Sequence, residues 1–251
     1  MHDTCLNCSQ PINNKYCGNC GQKASTHRYS LKHFIEHDFI HGVWHVDKGI
    51  LYTIKELFTR PGHSVREYIQ GKRINYFSFV TLLLLTATIS SLLSHYSDLD
   101  YSSFVPDDRK EMMNSLKELM ISYFKIYLLI TIPFMAFFSY LWFKKAGFNY
   151  SEHLVLNSYR TAADMVVLVV LTFFTLFFKS STVVLNAYTL MYMTFNLVYG
   201  VWFYFQFFSQ SGYSKISLFL RSLMIPVSFM LLQTLSGLIW AIIELILKKG
   251  H

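Results

Sequence analysis

From Tyr76 onward the chain is a series of apolar blocks joined by short polar segments, and nothing before Tyr76 looks like a membrane segment. That division constrains the fold more than any other feature. An apolar run of about 20 residues matches the hydrocarbon thickness of a bilayer when helical. Of 251 residues, 53% are hydrophobic and 18% aromatic, which is wrong for a soluble domain of this size. The first thirty residues are polar and cysteine-rich, so no signal peptide is expected to open the chain. The expectation is an all-α membrane protein: about five transmembrane helices, preceded by a small N-terminal four-cysteine zinc ribbon and amphipathic juxtamembrane helices. The domain boundaries are a ribbon at 1–25, juxtamembrane helices at 26–75 and a transmembrane bundle at 76–251.

The spans fall at about 77–93, 123–143, 160–178, 183–208 and 227–247. Pro133 predicts a kink in the second, and Trp142 an interface anchor at its end. The third has a short apolar core, Met165 to Phe178, and crosses only if it extends back past Asp164. The last block, Ile216 to Leu247, is too long for one span and contains Arg221 and Pro226. It reads as an amphipathic entry helix to about Met224, then a span from about Val227. Four or six spans are the alternatives. Arg60, Arg66, Lys72 and Arg73 before the first span place the N-terminus in the cytoplasm, and the acidic loop Asp98 to Glu111 suits the outside. Lys144, Lys145, Arg160, Lys215 and Arg221 keep this alternation. Only Lys248 and Lys249 disagree, since five spans put the C-terminus outside.

The only four cysteines stand as Cys5-x2-Cys8-x8-Cys17-x2-Cys20. A two-residue spacer lets both thiolates of a knuckle reach one metal, and four thiolates complete a tetrahedral zinc site. Two disulfides are the competing reading. A reducing cytoplasm favours metal, one structural Zn2+ per chain. Such a closed set leaves no open position to activate water.

Between knuckles and membrane, Ser30 to Gly71 reads as amphipathic, aromatic and basic helices suited to a membrane surface, with a turn at Arg60-Pro61-Gly62. His33, His37, His41 and His45 recur every four residues, a single helical stripe. The plain reading is the polar face of an interfacial helix, and it is preferred. The sharper one is a second metal site or a pH-sensitive surface.

The pieces CLNC, YCGNCGQ, HVDKG (His45 to Gly49), TIKELFTRPG (Thr53 to Gly62) and GKR (Gly71 to Arg73) resemble a family of bacterial inner-membrane proteins of unknown function with an N-terminal zinc ribbon. EHLVLN, Glu152 to Asn157, also looks like a segment of that family. The resemblance covers most of the first 90 residues and the spans loosely. It implies a multi-pass protein of the bacterial inner (cytoplasmic) membrane and supplies no activity. The five-span plan is further similar in outline to Yip1-type membrane proteins, at the level of fold alone.

Ionisable residues at membrane depth are functional candidates by default. Arg160 and Asp164 are spaced to pair on one helix face, and Arg221 and Glu244 belong to the last block. Interhelical pairing and interface anchoring are the preferred explanation. A polar seam carrying a substrate or proton is the alternative. No HExxH, P-loop or nucleophile-elbow pattern appears, so no enzyme is expected. The loop Ser9 to Tyr16 holds a single basic residue, which argues against nucleic acid. The leading expectation is a non-enzymatic membrane protein whose cytoplasmic zinc ribbon recruits or senses a protein partner, its bundle anchoring an assembly in the lipid bilayer. A transporter or channel is the alternative, and a homo-oligomer fits the sequence as well as a monomer.

Overall fold

The computed structural model describes residues 4–27, 29, 49–97, 106–107, 110, 123–178 and 181–249. His33, His37, His41 and His45 lie outside the described residues, as does the side chain of Glu244. Among the described residues the elements are α1 (Ile50–Thr59), α2 (Pro61–Ile69), α3 (Phe79–Tyr96), α4 (Phe124–Trp142), a 3-10 turn (Lys144–Ala146), α5 (Tyr150–Thr175), α6 (Thr182–Phe208) and α7 (Lys215–Lys249). The same residues hold no strand, only the isolated bridges Thr4 to Pro11 and Tyr16 to Lys23.

Among the described residues, three helices are long and apolar enough to cross a membrane: Phe79–Tyr96, Tyr150–Thr175, and the Lys215–Leu232 part of α7. α4 contains a shorter apolar helix, Ile130–Trp142. α5 is the hub, packing on α1, α2, α3, α4 and α6, while α7 closes against α4 and α6. It starts ten residues earlier than the span at 160–178 implies. The cause is a capping box: the Asn149 side chain accepts from the Glu152 N–H, and the Glu152 carboxylate accepts from the Asn149 N–H. That reciprocal pair satisfies two orphan donors, and EHLVLN lies within the most buried stretch of the helix, Ser151 through Arg160.

α7 is one 35-residue helix running through Pro226, not an entry helix followed by a separate span. Proline interrupts the ladder at a single rung, and packed membrane helices tolerate this. α4 likewise continues through Pro133.

The α1–α2 hairpin is amphipathic, and its apolar face turns to the bundle rather than to lipid. Leu57, Val65, Tyr68 and Ile69 are all buried. Pro61 occupies the first turn of α2, where its missing N–H leaves no orphan. Backbones touch where α2 meets α6: a Cβ at Gly62 would fall 2.2 Å from the Phe207 nitrogen and 2.4 Å from the Phe203 oxygen. Buried hydroxyls seal the joints. Tyr199 donates to the Leu57 carbonyl at 2.8 Å, and Tyr159 to the Phe77 carbonyl at 2.7 Å.

Candidate metal centre and its anchorage

The four cysteine sulfurs all lie within 4.8 Å of one another. Two of the separations are 3.6 Å (Cys5 to Cys20) and 3.5 Å (Cys8 to Cys17). A tetrahedron with metal–sulfur bonds of about 2.3 Å has edges of about 3.8 Å, so the quartet is close to that geometry. It is far from the roughly 2 Å of a disulfide, and all four are free cysteines. The residues fit a metal ion.

Each knuckle is a tight turn built by the same bonds. Cys5 N–H donates to Gln10 O and Ser9 N–H to Cys5 O; Cys17 N–H donates to Gln22 O and Gly21 N–H to Cys17 O. Ser9 and Gly21 both take positive φ, 60° and 76°. The Asn19 side chain and a backbone bond from Gln10 hold the Cys8 thiol down to about 6, poising it as a thiolate at neutral pH. Burial pushes Cys20 up to about 11.

The head is clamped to the membrane domain. The Gln22 amide donates to the Gly71 carbonyl at 2.9 Å and accepts from the Arg73 N–H at 3.1 Å. Leu6 lies over Gly71, whose φ of 114° and lack of Cβ allow that approach. Arg73 reaches back to the His27 carbonyl at 2.8 Å and stacks 4.0 Å from the Tyr29 ring centroid. Tyr29 and Tyr68 meet Phe79, the first residue of α3. Neither Gln22 nor Leu6 is singled out by sequence reasoning. Gln22 has a signal in the repeat Cys-x-Asn-Cys-[Ser/Gly]-Gln at Cys5 to Gln10 and Cys17 to Gln22, while Leu6 falls on its variable position.

The intramembrane candidates separate. Arg160 and Asp164 form an ion pair, and Arg160 also donates to the Asn196 carbonyl at 2.8 Å. It lies against the Tyr199 ring and against Gly200, where a Cβ would come within 3.0 Å of Nη2. The arrangement staples α5 to α6 at a point where the α6 backbone is bare. A second buried network continues below it: Tyr204 donates to Asn157 Oδ1 at 2.6 Å, Asn157 to Ser139 Oγ at 2.9 Å, and Ser139 lies 2.8 Å from His153 Nδ1. Arg221 has different partners. It donates to the Trp142 carbonyl at the C-terminus of α4 and stacks on Tyr213.

Arg66 stands in the sequence as one of several topology-setting charges. In the structure it caps α6, donating to Phe207 O at 2.8 Å and Gln206 O at 3.2 Å, where a cation favours the helix dipole. His63 Nδ1 accepts from Arg66 at 2.7 Å. Burial, then the Arg66 and Arg60 charges, hold the His63 imidazole below its usual 6.5.

Residues 47–90 match the model of a family described as a protein of unknown function, DUF3667. The match covers the α1–α2 hairpin and most of α3 and begins after the knuckles. No curated protein and no solved structure matches the chain.

Proposed function

With a family likeness that carries no activity, we propose that this chain is a non-enzymatic, multi-pass membrane protein whose N-terminal head holds one structural zinc and presents a docking surface to a cytoplasmic or membrane-bound protein. The observation that carries the reading is the cysteine quartet on a head bolted to the entrance of the first span. Four sulfurs within 4.8 Å supply a closed ligand set, which suits zinc and leaves no position for substrate. A rigid module fixed to a membrane anchor can hold a partner at a set height and orientation, which a tethered one cannot.

Five crossings suit the bundle. α6 is 27 residues without a charged side chain, about 40 Å long, and α4 spans about 28 Å. Tyrosine and asparagine lower the apparent hydropathy of α6, yet Asn196 and Tyr204 join the buried Arg160 and Asn157 groups. The basic residues before α3 and after α4 then put the head in the cytoplasm, where thiols stay reduced. The bacterial inner membrane is the setting that the sequence resemblance suggests.

Purification of the tagged full chain from native membranes, beside Cys17→Ser, tests the reading. A stoichiometric protein partner recovered with the wild type and lost with the variant is the expected result. Recovery of none, or equal recovery with both, would overturn it.

A further inference from the structure

The two knuckles are related by a local two-fold axis. Exchanging Cys5 with Cys17 and Cys8 with Cys20 maps the 3.6 Å Cys5–Cys20 separation onto the 3.5 Å Cys17–Cys8 one. The same exchange maps the bridge Thr4–Pro11 onto Tyr16–Lys23. It maps the turn bond Cys5 N–H to Gln10 O onto Cys17 N–H to Gln22 O. The asparagines obey it as well, Asn7 serving the Cys20 sulfur and Asn19 the Cys8 sulfur.

One of the two equivalent surfaces is in use. Gln22, only 4% exposed, grips the backbone of the Gly71–Arg73 turn through both ends of its amide, while Leu6 of the other knuckle covers Gly71. The axis carries Gln22 onto Gln10 and Leu6 onto Gly18. Gln10 is exposed, and among the described residues no atom lies within 4 Å of where a Cβ on Gly18 would sit.

We propose that the Gln10–Gly18 face is a backbone-recognition site for a partner protein, taking a tight turn of that partner as the Gln22–Leu6 face takes Gly71–Arg73. This rests on the docking role given to the head above and names its chemistry. The occupied face fixes the occupant. A glutamine amide that bonds one carbonyl and one N–H reads main chain rather than side chain, so the ligand is a peptide turn. The φ of 114° at Gly71 demands glycine at that point of the turn on either face, while Leu6 covers the turn on the Gln22 side and Gly18 leaves the Gln10 side open.

The test uses the full chain in nanodiscs with its head metal verified by elemental analysis. The probes are capped peptides Ile-Gln-Gly-Lys-Arg-Ile, the sequence of residues 69–74, and the same peptide with Ala in place of Gly. Nitrogen-15 spectra follow the glutamine side-chain amides. The expected result is saturable shift of the Gln10 amide by the Gly peptide and weaker binding of the Ala peptide, which strains at the positive φ, with Gln10→Ala weakening binding of the Gly peptide about tenfold, the loss of two hydrogen bonds. Absence of saturable binding to the metal-loaded wild type, or binding indifferent to Gln10→Ala, overturns the proposal. Recovery of a partner that Gln10→Ala leaves undisturbed would overturn this face alone, while the docking role of the head would stand.

Discussion

Gly62→Ala is the sharpest perturbation of the hairpin's seat on the bundle. A Cβ at this position would lie 2.2 Å from the Phe207 nitrogen, 2.4 Å from the Phe203 oxygen and 2.6 Å from the Gln206 Cβ. Two of these neighbours are α6 backbone, which cannot rotate away as a side chain can. Restoring ordinary contact moves α2 back by about 1 Å, a large shift for a close-packed interface. Overpacking of this kind costs about 1–3 kcal/mol. The shift also stretches the Arg66 bonds to Phe207 O and Gln206 O, and bonds to charged groups are worth about 1.5–3 kcal/mol in total effect when lost. A destabilisation of about 3 kcal/mol is expected, equivalent to about 6–12 °C in Tm at this chain length. The assay is thermal unfolding in detergent, with Gly18→Ala as the control, since among the described residues no atom crowds that position. The control should change stability by less than about 0.5 kcal/mol. Equal Tm values for Gly62→Ala and Gly18→Ala would refute the account of the α2–α6 joint.

Three further outcomes follow from other parts of the structure. Arg160→Met, which leaves Asp164 without its partner in a buried site, should destabilise by about 3–5 kcal/mol, and Arg160→Met with Asp164→Leu should recover part of the loss; thermal unfolding of both variants checks this. Gln22→Ala removes the two Gln22 bonds to the Gly71–Arg73 turn, so amide exchange at Cys17 and Ala24 should accelerate while exchange in α5 stays unchanged. His63 has a folded pKa below its unfolded value, so its contribution is present above about pH 6.5 and is lost as the pH falls through the folded pKa. His63→Gln should flatten the Tm profile below pH 6.5, and an unchanged profile would remove His63 from the account.

Much of this fold can be read from pattern, and the unread parts share a cause. The apolar block at 77–93 becomes α3, Phe79–Tyr96, because a continuous apolar run has few helical alternatives. Arg60-Pro61 marks the α1–α2 turn because proline fixes the first turn of a helix. The cysteine spacing brings four sulfurs together because a two-residue spacer leaves little else. What escapes the pattern depends on contacts distant in sequence. Arg66 carries the same formal charge whether it sets topology or caps α6, and only the approach of Phe207 decides. The start of α5 lies ahead of the apolar core at Met165 because Asn149 closes a capping box with Glu152, and only packing sinks that charged first turn into the bundle. The knuckle repeat is legible in the letters Cys-x-Asn-Cys-[Ser/Gly]-Gln, but its meaning needs the Gly71 turn beside Gln22.

The four-cysteine head fits a closed metal site, and two disulfides are the competing reading. Elemental analysis of the full chain, purified under reducing conditions beside Cys17→Ser with Cys20→Ser, tests it most directly. One zinc per wild-type chain and none in the double variant is the expected result. A wild type without metal, or a double variant that keeps it, would contradict it.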